Sequence, residues 1–148
     1  MSEFEVRPIT LEAAGPLRTA LLRDEDETRD ERSAGALHLG GFRNGRLVGF
    51  ASIAPQRAPG DPGPGAWRLR AIAVDHGHRG YGLGGLMLRR CLGHATAQGA
   101  RIVWSRIPAS AYGFFEHHGF ERSGDPFEGP GRLPHYLVVA DAEARSRE

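Results

Sequence analysis

The segment Arg79-Gly80-Tyr81-Gly82-Leu83-Gly84-Gly85 places four glycines in six positions. It sits between an apolar run, Leu69 to Val74, and a helix-like run from Leu86 to Ala97. A glycine-crowded turn from strand into helix leaves backbone N–H groups unshielded, and the positive end of the helix dipole faces into the turn. Phosphate oxygens suit such a cradle, so the first expectation is a cofactor carrying a pyrophosphate. As a turn with no ligand, each glycine would cost about 0.5–1 kcal/mol of backbone entropy in a helix start with nothing to offset it.

Other side chains could add chemistry. Tyr112 reads as a half-buried aromatic packed on a sheet. His135 can act as general base or acid near neutral pH, or serve as a structural hydrogen-bonding group. Cys91 falls four residues after Met87 on a helical pattern, which marks a buried core thiol rather than a nucleophile. His76-x-His78 and His117-His118 lack the Cys or carboxylate spacing of a zinc site and read as surface residues, so no metal is expected. Arg70 could orient an acidic acceptor, although a strand arginine more commonly faces solvent. His38, between Leu37 and Leu39, is placed outward toward an acceptor side. The acidic run Asp24 to Glu27 with Asp30-Glu31 reads as a solvated loop, or as a lip attracting a cationic acceptor.

Chain length and composition frame these residues. At 148 residues with 40% hydrophobic and 25% charged content, the chain fits one globular domain over 1–148, with a frayed tail over 141–148. The net charge of +1 gives no general reason to expect nucleic acid. All 19 basic residues are arginine, so the chain offers no lysine amine to an acyl donor. One cysteine fits a reducing compartment. No run approaches the ~20 apolar residues of a membrane helix, and the N-terminus lacks an apolar signal core. A cytoplasmic protein without a membrane partner is expected.

The elements that must carry the site follow from pattern. Phe4 to Ile9 reads as a strand. A helix runs from Leu11 to about Arg23, capped by Thr10 and interrupted at Gly15-Pro16. Leu37 to Arg43 and Arg46 to Ala54 flank Asn44-Gly45, the strongest short hairpin signal. A loop over Arg57 to Gly65 precedes a strand from Trp67 to Val74, the glycine turn, and a helix that Gly99 stops. Arg101 to Arg106 is a strand, and Ala109 to His118 a short helix ended by Gly119. A return strand begins at Phe120, a loop spans Pro126 to Pro134, and His135 to Val139 is the last strand. The order predicts an α+β fold of α/β type: one mixed sheet with flanking helices.

Gly80, Gly82 and Gly85 also satisfy the dinucleotide fingerprint G-x-G-x-x-G. That fold wants parallel strands and an acidic residue about 20 positions on, whereas here the next strand ends Trp104-Ser105-Arg106 and the first half of the chain is an antiparallel hairpin. Arg106 would suit a 2′-phosphate, so an NADP-binding oxidoreductase is the weaker alternative.

Arg79-x-x-Gly82-x-Gly84 resembles the acetyl-CoA pyrophosphate motif of the GNAT superfamily of N-acetyltransferases. Leu69 to Asp75 is similar to that family's fourth strand, and Phe114-Phe115-Glu116-His117-His118-Gly119-Phe120 to its later helix. The resemblance implies splayed central strands and acetyl-CoA as co-substrate. It implies backbone contacts from Ile72, Ala73 and Val74 to the pantetheine arm, and a pyrophosphate held by Arg79, Gly80, Tyr81, Gly82, Leu83, Gly84 and Gly85. It further implies direct attack by a primary amine of a small molecule or peptide in a ternary complex, and it leaves a homodimer open. The family often has a tyrosine where this chain has Phe115. Tyr112, three residues earlier, would then donate the proton, or the chain is an acyl-CoA-binding module with weak or no catalysis.

Overall fold

The computed structural model describes residues 4–17, 35–61 and 63–142. Its strands are β1 (Phe4–Pro8), β2 (Leu37–Arg43), β3 (Arg46–Pro55), β4 (Ala66–Val74), β5 (Ile102–Pro108), β6 (Glu121–Glu128) and β7 (Pro134–Asp141). They form one seven-stranded mixed sheet in the order β1-β2-β3-β4-β5-β7-β6. Helix α1 (Leu83–Ala97) links β4 to β5, and α2 (Tyr112–His117) follows β5. The β4–β5 pair is parallel, which requires a crossover such as α1. By compactness the chain divides into Met1–Pro55 with Leu69–Cys91, and Gln56–Arg68 with Leu92–Glu148.

In the first unit, Asn44 and Gly45 both adopt positive φ, 51° and 79°. That is what a two-residue type I′ hairpin requires. The hairpin glycines have a second role. A Cβ on Gly41 would stand 2.8 Å from Leu83 Cδ1, and one on Gly49 would stand 3.0 Å from Leu83 Cδ2 and 3.1 Å from Met87 Cε. The first turns of α1 therefore pack directly on the hairpin backbone. Phe50, Ala14 and Ala71 form a separate core cluster with Ile9 and Leu17. Thr10 Oγ1 accepts the Ala13 N–H at 3.1 Å, as its capping role predicts. The helix it starts opens as a 3-10 turn over Glu12–Ala14. Residues 18–23 of that expected helix, and the acidic run at 24–31, lie outside the described residues.

In the second unit, β7 pairs antiparallel with β5 from Ile102↔Asp141 to Pro108↔His135. On its other edge β7 pairs with β6, with an irregularity between Ser123 and Phe127. The return strand thus extends past the expected loop start at Pro126 and runs to Glu128. An edge strand with a bulge tolerates the missing N–H of Pro126. Trp104, Ala58 and Ala66 form the core against Ile102, Leu137 and Val139, and Trp104 Nε1 donates to the Gln56 carbonyl at 2.8 Å.

Both helix stops follow one pattern. Gly99 and Gly119 each have φ of 92°. Ala100 N–H bonds Ala95 O at 2.9 Å and Phe120 N–H bonds Phe115 O at 3.0 Å, the long bond of a Schellman cap. Of the tail expected to fray from Asp141, Asp141 itself belongs to β7, and residues 143–148 lie outside the described residues. Ala142 N–H donates to Arg101 O at 3.2 Å, and its carbonyl accepts from Thr96 Oγ1 at 3.1 Å. Among the described residues no helix is long and apolar enough to cross a membrane.

Candidate functional site

Strand β4 leaves the sheet through a tightly bonded corner. Asp75 N–H donates to Val48 O at 2.8 Å, a 3-10 turn follows over His76–His78, and His78 Nδ1 lies 3.3 Å from Asp75 Oδ2. Asp75–Val48 and Gln56–Ala66 are both backbone bonds between β3 and β4 or their ends. Between them β3 takes eight residue steps, 48 to 56, and β4 nine, 66 to 75; one extra residue on β4 is the count of a β-bulge. Arg79 then turns back, and its Nε donates to the Val74 carbonyl at 2.8 Å. The end of β4 and the start of the glycine turn are therefore one braced piece.

Beyond Arg79 the chain is open. Gly80 and Gly82 have φ of 86° and 90°, values that L side chains rarely adopt. A Cβ at either glycine would meet nothing within 4 Å, so their faces look outward rather than into packed protein. Tyr81 between them is 68% exposed. The Gly82 carbonyl accepts the Leu86 N–H at 3.1 Å and so opens α1. The N–H groups of the first helical turn have no partner within the helix. No acidic residue lies in that turn to compete for them, so the positive end of a fifteen-residue helix is uncompensated. Leu83, 1% exposed, anchors this end against the hairpin glycines. A pyrophosphate fits this cradle on both counts, unshielded backbone donors and room where side chains would otherwise stand. The importance of Leu83 as an anchor was missed in sequence; its signal is the spacing of Gly41 and Gly49 on facing strands, which are register partners.

The backbone carriers Ile72, Ala73 and Val74 are half-buried at the end of β4, Gly84 is half-buried and Gly85 buried. The parallel ladder with β5 comprises Ala66↔Ile102, Trp67↔Val103 and Arg68↔Trp104. Among the described residues, Leu69 to Val74 have no register partner in β5.

The proposed proton carriers sit as follows. Tyr112 is half-buried, edge-on to Tyr136 at 5.7 Å, with the Arg122 guanidinium over both rings, at 5.8 Å and 4.6 Å. His135 is 6% exposed; its Nδ1 donates to the Leu133 carbonyl at 2.9 Å, and its ring lies directly on Gly129. Phe115 is 3% exposed and packs edge-on against Phe120 at 5.3 Å.

Three sequence expectations need correcting. Arg70 is not solvent-facing but buried, at 9% exposure. His38 is half-buried, with Nδ1 2.9 Å from Ser52 Oγ across the hairpin. His78 and His118 are half-buried rather than surface residues. Cys91 is fully buried as expected, and burial pushes its thiol up to about 12, which removes it as a nucleophile. Among the described residues no three metal-ligating side chains cluster.

Comparison with known proteins agrees with this architecture. The chain is 28% identical over 140 residues to the uncharacterized N-acetyltransferase YitI of Bacillus subtilis, across 91% of this chain and 94% of that protein. A GNAT family acetyltransferase from Elizabethkingia anophelis, solved with acetyl-CoA bound, superposes with a TM-score of 0.71 at 16% identity, covering 95% of this chain and 99% of its own. FeeM, an N-acyl amino acid synthase from uncultured soil microbes, gives a TM-score of 0.77 at 17% identity over 97% and 93% of the two chains. Residues 5–120 match the acetyltransferase (GNAT) family. A mixed sheet, a glycine turn braced to β4 and an uncompensated helix start are what an acyl-CoA enzyme of that kind needs, and the chain belongs to the GNAT family of acetyltransferases.

Proposed function

We propose that residues 1–148 form a single domain that transfers an acetyl group from acetyl-CoA to a primary amine of a small molecule or peptide, by direct attack in a ternary complex. The observation that carries this is the outward-facing, positive-φ glycine turn at the uncompensated start of α1. Acetyl-CoA supplies an acyl group already activated as a thioester. Backbone groups of Ile72, Ala73 and Val74 hold the pantetheine arm, and Arg79 to Gly85 hold the pyrophosphate. Because Arg79 Nε is bonded to Val74 O, the turn that grips phosphate also fixes the strand end that positions the thioester.

As the amine forms its bond to carbon, charge builds on the thioester oxygen, and the N–H near Val74 stabilises it. A preplaced donor of this kind is worth on the order of 10²–10³ in rate. The carbon–sulfur bond then breaks; the amine loses a proton and the thiolate gains one. His135 takes the first proton at Nε2, its Nδ1 being held by Leu133 O, and Tyr112 gives the second. The protein works in the cytoplasm, and pairing into a homodimer is read by light scattering.

Phe115 favours a second reading, an acyl-CoA-binding module with weak or no catalysis, because this buried side chain has no hydroxyl with which to protonate a leaving thiolate. Thiol release from acetyl-CoA across an amine library separates the two. Release with at least one amine supports transfer. Tight CoA binding with no release from any amine, unchanged in Phe115→Tyr, establishes the binding module.

A further inference from the structure

We propose that Arg79 is a positioning residue, an inference that rests on the acetyl-CoA reading: its Nε, rather than its charge, couples filling of the phosphate turn to the setting of the Val74 N–H. The peptide unit joining Val74 to Asp75 is held at both ends. Its N–H donates to Val48 O on β3 at 2.8 Å, and its C=O accepts from Arg79 Nε at 2.8 Å. One planar unit is thus pinned by the neighbouring strand on one side and by the first residue of the glycine turn on the other.

The preceding peptide unit carries the N–H assigned to the thioester oxygen. A Cβ on Gly49 would stand 3.2 Å from the Ala73 carbonyl oxygen, so that oxygen lies on the β3 side. In a trans peptide the N–H and C=O point in opposite directions, and the Val74 N–H therefore points away from β3. By the same rule Val74 O, opposite the Asp75 N–H, lies on that far edge too. Arg79 Nε is the donor that holds it there.

Arg79 is exposed, and a Cβ at Gly80 or Gly82 just beyond it would meet nothing within 4 Å. An exposed hydrogen bond leading into a turn so thinly packed opens and closes by local fluctuation. A pyrophosphate bonded to the N–H groups of the turn fixes the Arg79 backbone, keeps its Nε on Val74 O, and so sets the Val74 N–H for the thioester. Such coupling is reciprocal: the thioester arm favours phosphate binding by the same factor.

The test uses the full chain and the two halves of the cofactor as probes: 3′-phosphoadenosine 5′-diphosphate, which carries the pyrophosphate, and S-acetylpantetheine, which carries the thioester. Calorimetry gives the affinity of each half alone and with the other saturating, and amide NMR shifts locate it. In the parent, each half is expected to bind about fivefold tighter when the other is present, the scale of one net hydrogen bond. Arg79→Gln keeps an N–H donor the same number of bonds from the backbone as Nε and drops the charge; Arg79→Met puts a methyl group there. The glutamine variant should keep the coupling and the methionine variant should bring it close to onefold, whatever either loses in direct affinity for the diphosphate. No coupling in the parent, full coupling in Arg79→Met, or coupling lost equally in Arg79→Gln would each overturn the role of Arg79 while leaving acetyl-CoA binding intact. A diphosphate half that shifts no amide from Gly80 to Gly85 would overturn the acetyl-CoA reading itself, and this role with it.

Discussion

In the β2–β3 hairpin, a methyl group added to Gly41 would press into Leu83 at 2.8 Å, whereas one added to Gly80 or Gly82 would touch nothing within 4 Å. Both regions are glycine-rich, and in the sequence they look alike. In the hairpin the missing side chain makes room for the protein's own residues, Leu83 and Met87. In the turn it leaves the face of the backbone open. The two are also mechanically joined, since Leu83 fills the hairpin space and sits at the start of the helix that the turn opens.

The widest separation between the two regions should come from Gly82→Val. A branched side chain would occupy the phosphate cradle. With two charge-assisted hydrogen bonds lost at ~1.5 kcal/mol each, CoA affinity measured by calorimetry falls roughly 100-fold or more. The folded state survives, weakened by about 1–3 kcal/mol because valine is forced to positive φ. Unchanged CoA affinity would remove the pyrophosphate from this turn.

The hairpin side of the comparison predicts the opposite profile, stability first. Leu83→Ala should cost about 2–5 kcal/mol in denaturant unfolding, as a buried leucine truncation does, and Gly41→Ala about 1–3 kcal/mol through overpacking. Combined, the two should cost less than their sum by at least 0.5 kcal/mol, because the new methyl enters the space that Leu83 gave up. Strict additivity would show that the two positions do not share that space.

Much of this was legible in the sequence, for physical reasons that differ by element. Asn44-Gly45, Gly99 and Gly119 adopt the positive φ values their chemistry favours, so local conformational rules located the hairpin and both helix ends. Arg79 to Gly85 was recognisable because glycine at that density has few other uses. The burial of Arg70 was not legible, since alternation gives a strand residue's face but not what covers that face. Nor was the extent of β6: Pro126 reads as a breaker, and only an edge position with a bulge lets the strand continue. The Arg79–Val74 brace joins a side chain to a carbonyl five residues back, and no spacing rule announces it. His135 was picked for its chemistry, while its tautomer depends on the Leu133 carbonyl.

A pH-dependent effect concerns Cys91, at the boundary of the first unit. Its thiol lies near 12 in the folded protein against an ordinary value of 9.0, because burial disfavours the thiolate. A raised folded value means the contribution to stability is complete below pH 9 and is lost as pH climbs from 9 toward 12. Urea midpoints of Cys91→Ala should therefore fall less steeply over that window than those of the parent. Equal slopes would mean that burial does not hold this thiol above its unfolded value.

Arg101 deserves a last consequence. Its N–H bonds Gly65 O at 2.6 Å, its Nε bonds Pro64 O at 3.2 Å, its Nη2 holds Asp61, and its carbonyl takes the Ala142 N–H. One residue at the head of β5 therefore clips a loop and the far end of β7 together. A truncation boundary is written into that clip. A chain cut after Ala142 keeps every one of these bonds, while a chain cut after Ala140 loses the Ala142 bonds to Arg101 and Thr96 and leaves the last strand's end untied.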